Sequence, residues 1–581
     1  MQAVWSKFHN FVLIKSSIMH STSLHTAPGE LFIRHQEILN NAIRAIHARE
    51  FYAQYPEAPS GKVYGEDANE KQQQLFQQQL GKAFCGLQQA FDTEILSSET
   101  SPYTLKKLDI NYPAFADTNQ YITQAQEAWG SWKNTDAESR TGLLIESLER
   151  VRNRFFEIAY ATMHTTGQAF MMSFQASGPH ANDRALEAIA LGYHELIRFP
   201  REVTWDKPMG KFNVVLKKFY KTVPKGIALS IGCSTFPVWN SVPGIYASLV
   251  TGNPVIVKPH PSAIYPIAIV VAEIQQLLKE YGFNPHIIQL AADQEEKPVT
   301  KILCEHPLVK IIDFTGGNTF GDYVEALPGK ISFTEKAGVN SVILDSFSDL
   351  KGAMQNLAFS VSLYSGQMCT CPQNIYIPEK GVEVNGEHYT YEQVVGELVS
   401  AIEGLINHEK AGPGTLGAIQ NPATQARIKQ VAESGAKILL ASKSIANPEF
   451  PDARIASPLV IEVPKDRKDL NEHEWFGPIV MIIPTSSTEE SLNLAKNISQ
   501  KEGAITCAVY CTQVELQDKI AKEMAEAYTA VSFNLTGPIW VNQSAGFSDF
   551  HVSGGNPAGN ASFTNPEFVL KRFVLVGMRA C

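Results

Sequence analysis

The 581-residue chain has no run of the roughly 18 to 20 apolar residues needed to cross a bilayer, so a membrane-embedded protein is not expected. Positive charge is in deficit. Its 49 Lys and Arg face 59 Asp and Glu, and a net charge of −10 offers nothing general to nucleic acid or to an anionic membrane surface. Cysteine is sparse: Cys85, Cys233, Cys304, Cys369, Cys371, Cys507, Cys511 and Cys581 do not form the dense framework of a secreted scaffold. A reducing, cytoplasmic setting is therefore expected. There is no internal repeat and no Cys/His cluster at zinc spacing, so no metal is expected. The opening "MQAVWSKFHNFVLIKSSIMH" has only the brief apolar patch "FVLI", too short for a signal-peptide core, and reads as a ragged, removable N-terminus.

What is present is ordinary globular composition, 44% hydrophobic and 19% charged, with length for more than one core. Residues 1–110 read as a helical accessory segment with no assignable role, broken at Pro56 and Pro59 and rich in glutamine around "EKQQQLFQQQL". Long helical patterns run from Ala125 to Phe199. From Gly226 the pattern changes. The β-branched runs "GIALSIG", "PVIVKPH", "HIIQLAA" and "VKIIDFTGG" alternate with helix-length segments, which predicts an α/β fold with a parallel sheet covered on both faces. A second alternating region, containing "SVILDS", "NIYIP", "AKILLAS", "IVMIIPT" and "TCAVYC", follows to about Ala530. Nucleotides bind at the carboxyl ends of such strands.

Two stretches invite chemistry. "VKIIDFTGGNTFGDYV" runs from a strand through Gly316 and Gly317 to Gly321, and glycines before a helix let backbone N–H groups approach a phosphate. It lacks both the P-loop GK[ST] and the usual dinucleotide spacing, so a plain strand-to-helix turn explains it equally well. "YSGQMCTCPQN" sets Cys369 and Cys371 one residue apart, a spacing open to a metal clip, a redox pair, buried packing or a nucleophile with a bystander.

Glu335 of "FTEKAG" lies nineteen residues after Gly316, Cys369 lies thirty-four after Glu335, and Glu474 opens "EWFGP". With "VIVKPHP" around Lys258, this ordered set over residues 110 to 581 resembles the aldehyde dehydrogenase superfamily. The resemblance implies two doubly wound α/β lobes and a β-rich arm. Residues 111–206 and 223–337 would bind cofactor, 338–531 would form the catalytic domain, and 207–222 with 532–581 would form an oligomerisation arm and tail. It implies that Cys369, following Gly366 and Gln367, is the nucleophile and that Cys371 is not. Glu335 would activate water against a thioester on Cys369. Gly316, Gly317 and Gly321 would serve the cofactor, Glu474 would hold the nicotinamide ribose, and Phe476 would pack near the ring. A homodimer or homotetramer is implied as well.

Two departures from that pattern stand out. "GCSTFP" puts Thr235 where the family has its oxyanion amide, so a shorter hydroxyl would have to serve. "KPHP" puts Pro261 where many NAD-preferring members carry a glutamate, leaving Lys258 and His260 to attract a 2′-phosphate and Ser262 to cap the next helix. NADP is the expected cofactor, with NAD the alternative. Within the superfamily, "SGQMCTCPQNIYIP", "FYAQYPEAPSGKVYGEDA" and the C-terminal stretch resemble the phenylacetic acid degradation proteins, PaaN and its relatives. That implies a semialdehyde from cleavage of a CoA-linked aromatic ring as substrate. The chain ends at Cys581, so a fused hydratase is not expected. The alternatives are a CoA-acylating dehydrogenase and a non-catalytic binding protein on the same scaffold.

Overall fold

The β-branched runs between Gly226 and Glu335 form one sheet. β1 (Ile227–Ile231), β2 (Val255–Lys258), β3 (Ile288–Leu290), β4 (Val309–Thr315) and β5 (Ile331–Glu335) are parallel throughout, in the order β3-β2-β1-β4-β5. Every residue of β1, β2 and β3 is buried, which is why these strands read as continuous apolar runs without polar alternation. The order reverses between β1 and β4, and a crevice opens there at the carboxyl ends. A computed structural model describes residues 28–537, 546–547 and 551–581. The expected removable N-terminus, and parts of the C-terminal stretch, lie outside the described residues.

A second sheet follows. β6 (Asn340–Leu344), β7 (Pro372–Pro378), β8 (Lys437–Leu440), β9 (Leu459–Glu462), β10 (Ile479–Thr485), β11 (Thr506–Tyr510) and β12 (Ala530–Phe533) take the order β8-β9-β10-β7-β6-β11-β12. Only the β8–β9 pair is antiparallel. Outside these lobes, Glu202–Pro208, Asn213–Pro224 and Phe573–Ala580 make a three-stranded antiparallel sheet. It carries exposed Val215, Val574, Leu575, Val576 and Met578. The tail is anchored by buried Arg572, whose guanidinium donates to both Asp313 carboxylate oxygens in β4.

Residues 28–110 pack into the main core: Leu31, Leu39, Tyr55 and Phe76 share one apolar cluster with Ile267 and Val270. From this segment, buried Glu99 accepts from the backbone N–H groups of Ile264 and Tyr265, each at 2.7 Å. Those groups open helix α1 (Tyr265–Glu280), so Glu99 satisfies its first turn. Ser262 does not cap that helix as expected, because its hydroxyl lies 2.7 Å from His260 Nδ1.

Candidate active site

Three successive residues before Cys369 take left-handed backbone: Tyr364 (φ 53°), Ser365 (φ 47°) and Gly366 (φ 63°). For the two non-glycine residues this costs on the order of 1–2 kcal/mol each, and surrounding bonds hold them there. Tyr364 OH donates to Thr166 O at 2.5 Å, and Ser365 Oγ lies 3.0 Å from both Leu416 O and Ala456 O. Gln367 is bracketed on both sides. Its amide nitrogen donates to Tyr364 O and Ala418 O, and its oxygen accepts from Gln420 N–H. At Gly366 a Cβ would lie 2.3 Å from Gly477 O, so the "SGQMC" and "EWFGP" motifs meet backbone to backbone. Cys369 sits on this rigid loop between two cavities, lining both. Cys371 lines neither; it packs against the main core, with its sulfur 3.9 Å from Ser360 O.

Glu335 ends β5 inside the site. Its Oε1 lies 3.1 Å from His551 Nε2, and its Oε2 accepts from Asn240 Nδ2 at 3.2 Å. The same His551 Nε2 lies 3.6 Å from Cys369 Sγ, and the reactive atoms of the three residues all fall within 4.8 Å of one another. Burial works against ionisation of Glu335, yet His551, the Cys369 contact and Arg184 hold its carboxyl below the usual range. Burial, and then the Glu335 charge, push the Cys369 thiol well above its usual range. Behind Asn240, the Cys233 thiol donates to Oδ1 at 3.6 Å, which orients the amide with its nitrogen toward Glu335. Burial pushes Cys233 up to about 11, against hydrogen bonds from Phe236 and Thr235 that favour its ionised form. Thr235 thus lines the cofactor side of the site with its hydroxyl toward Cys233.

The larger cavity, about 600 Å³, opens at the carboxyl ends of β1, β2, β4 and β5. It is lined by Thr235, Lys258, His260, Gly316, Gly317, Glu335, Glu474 and Phe476, together with Lys336 and Arg427. Gly317 precedes helix α2 (Asn318–Glu325), and a Cβ there would meet open space. This is a glycine-lined helix N-terminus at a switch point, which fits a dinucleotide. Gly321 is buried within α2 and does not line the cavity; a Cβ there would lie 2.4 Å from Lys336 Cδ. Lys258 lines this cavity as expected of a cofactor contact, and buried Asp293 pairs with its Nζ at 2.6 Å. Burial pushes Lys258 down and Asp293 up, each opposed by the other's charge. His260 is pushed down to about 4 by burial and Lys258, so it is neutral at neutral pH. Burial pushes Glu474 up to about 8 against the pull of Arg427, whose Nε donates to Phe476 O.

The smaller cavity, about 250 Å³, lies across Cys369 and is walled by Phe51, Tyr52, Tyr55, Phe236, Trp239 and Met368. Three of its five aromatic residues, Phe51, Tyr52 and Tyr55, come from the N-terminal segment. Gln54 N–H donates to Asp183, and His180 Nε2 sits 2.8 Å from Glu57, tying that segment to helix Pro179–Ile197. Sequence reasoning missed Asn240, His551, Asp293, Arg427 and this wall. Asn240 lies five residues beyond Thr235, Phe51, Tyr52 and Tyr55 open "FYAQYPEAPSGKVYGEDA", and His551 falls in the C-terminal stretch, so each was near a quoted motif that gave it no role in the site.

The aldehyde dehydrogenase family model matches residues 99–564. A crystal structure of an NAD-dependent aldehyde dehydrogenase from Burkholderia multivorans shares 43% identity at a TM-score of 0.92, covering 95% of this chain and 98% of that one. A putative aldehyde dehydrogenase of Gibberella fujikuroi is 25% identical over 415 residues, 70% of this chain and 80% of its own length. The 1-pyrroline-5-carboxylate dehydrogenase of Bacillus subtilis is 22% identical over 471 residues, 78% and 84% of the two chains.

Proposed function

The chain belongs to the aldehyde dehydrogenase family, and from that premise we propose that it oxidises an aldehyde with an apolar or aromatic body to a free carboxylic acid. The observation that carries this is Cys369 standing between the larger cavity at the carboxyl ends of the strands and the aromatic one, with Glu335 beside it. Cys369 sulfur attacks the aldehyde carbon from the smaller cavity, giving a thiohemiacetal that becomes a thioester. The nicotinamide group, when bound, supplies the hydride acceptor. Glu335 removes a proton from water as that water attacks the thioester, and the acid leaves. For the oxyanion we propose the second N–H of the Asn240 amide, since Thr235 faces Cys233.

For the cofactor, the expected preference for NADP gives way to NAD as our proposal. The cation offered to a 2′-phosphate is neutralised by Asp293, His260 carries no charge at neutral pH, and the Burkholderia relative is described as NAD-dependent. The placement in phenylacetate degradation rests on sequence resemblance. A CoA-linked semialdehyde would have to offer its aldehyde end to a cavity of about 250 Å³. Assembly into a homodimer or homotetramer is supported by the exposed apolar residues of the three-stranded arm.

The test is incubation of purified protein with NAD or NADP and a panel of aromatic, aliphatic and CoA-linked aldehydes, with and without free coenzyme A. Free acid formed without added coenzyme A, with higher kcat/KM for NAD, is expected. An obligatory acyl-CoA product would replace this reading with the acylating one. No turnover with any aldehyde, in a protein that still binds the dinucleotide, would favour a binding protein.

A further inference from the structure

At rest Cys369 is a thiol, because burial and the neighbouring Glu335 carboxylate both oppose its ionisation. A buried thiol attacks a carbonyl only if an adjacent group takes its proton. Two groups lie within reach, Glu335 and His551. At rest Glu335 is engaged elsewhere: its Oε1 lies 3.1 Å from His551 Nε2. It is also engaged at Oε2 by Asn240.

We propose that His551 is a further catalytic residue, the base that takes the Cys369 proton as the sulfur attacks. This rests on the reading of Cys369 as nucleophile. Nε2 lies 3.6 Å from Sγ and 3.1 Å from Glu335 Oε1, so the transferred proton comes to rest on a nitrogen flanked by sulfur and carboxylate. The ring is fixed for this task. It is buried, and Trp239 packs edge-on at 4.7 Å between centroids, with the Arg184 guanidinium 4.1 Å over the same indole.

The balance closes without another reactant. The S–H bond breaks, its proton forms Nε2–H, and the sulfur electron pair forms the C–S bond as the carbonyl π pair moves to oxygen. Collapse of that alkoxide restores C=O and expels hydride, for which a bound dinucleotide would supply the acceptor, giving the thioester. When water attacks, its proton goes to Glu335, and the C–S bond breaks with its electron pair on sulfur. The imidazolium N–H then returns its proton to sulfur, and Glu335 releases its own to solvent. Glu335 serves the first half of the cycle as counter-charge to the imidazolium and the second half as base to water.

Other charges face this cluster. Arg184 acts on both Glu335 and Cys369, with Glu187 beside it; Asp183 lines the aromatic cavity; Cys233 and Glu474 act on Cys369 from the cofactor side. None can replace His551. A guanidinium does not exchange its proton near neutral pH, and among the described residues these other groups make no hydrogen bond to Nε2, whereas imidazole exchanges protons in this range.

The test needs neither aldehyde nor cofactor, so it can fail independently of the proposed function. Alkylation of Cys369 by iodoacetamide is followed by peptide mass mapping from pH 5.5 to 10 in the wild type, His551→Gln, His551→Asn and Glu335→Gln. The wild type is expected to react at neutral pH, by a limb separate from the alkaline titration of a free thiol. The two His551 variants should lose that limb, reacting at least tenfold more slowly at pH 7 and recovering only as free thiolate forms at alkaline pH. Glu335→Gln should retain the neutral limb. Wild-type alkylation that follows a single alkaline thiol titration would overturn the proposal even if the variants fail to fold. So would a neutral limb that survives in His551→Gln, or one lost only in Glu335→Gln.

Discussion

Gly366→Ala offers a test of how Cys369 is presented, because it changes no group that reacts. The new methyl meets Gly477 O at 2.3 Å, Gly477 C at 2.7 Å and Pro478 Cα at 3.1 Å, all backbone atoms. Real Cβ contacts stay above 3.0 Å, so one strand of backbone must retreat by about 0.7 Å (3.0 minus 2.3). The left-handed φ of 63° costs an alanine about 1–2 kcal/mol in addition. Its neighbours cannot relax freely: Gln367 is bonded at both ends of its amide, and Gly477 adjoins Phe476 in the cofactor cavity. A shift approaching 1 Å at a reacting atom costs roughly 100-fold in rate. Gly366→Ala is thus expected to lose at least about 1 kcal/mol of stability in urea unfolding and roughly two orders of magnitude in kcat. Alkylation of Cys369 should slow with it. Wild-type kcat together with an unchanged unfolding midpoint would refute the reasoning, since it would mean the two motifs do not buttress each other.

Glu335→Gln should give a rapid burst of one reduced nicotinamide per site, followed by turnover slowed roughly 10²- to 10⁴-fold, because the thioester forms but lacks its base; stopped-flow absorbance reads both phases. Cys371→Ala should retain most activity while Cys369→Ser abolishes it, and equal losses in a steady-state assay would end the division of the motif between nucleophile and neighbour. His260 titrates at about 4 in the folded chain against an ordinary 6.5, so the unfolded state binds more protons between those values. Its contribution makes stability rise with pH from about 4 to 6.5 and level off above; His260→Gln should flatten that slope in urea midpoints taken across the range. His164, also pushed down to about 4 by burial, keeps part of the slope in the variant.

Much of the fold was legible because it is written in short-range pattern. "GIALSIG", "PVIVKPH" and "VKIIDFTGG" became parallel strands because apolar β-branched runs between helix-length segments have few other ways to bury both faces. "SGQMC" was legible through its resemblance to a family motif, and the structure gives the physical reason for that motif: a tightly turned loop with glycine at a left-handed position and a glutamine bonded on both sides. Arguments that inferred an empty neighbourhood from local sequence fared differently. Pro261 suggested that no carboxylate faces Lys258, yet Asp293 arrives from the segment after β3. Ser262 had the right chemistry for a cap, but Glu99 reaches the same N–H groups from 165 residues away.

The sequence by itself determined the α/β class, the order of the strands along the chain, and the loop that carries Cys369, since each depends on residues within one element or one turn. Only the tertiary structure decided what faces that sulfur. His551 comes from 182 positions downstream, and the aromatic wall from Phe51 to Tyr55 comes from more than 300 upstream. Such meetings are fixed by how strands are ordered in a sheet and where the tail crosses their ends. That is a property of packing, and no spacing along the chain encodes it.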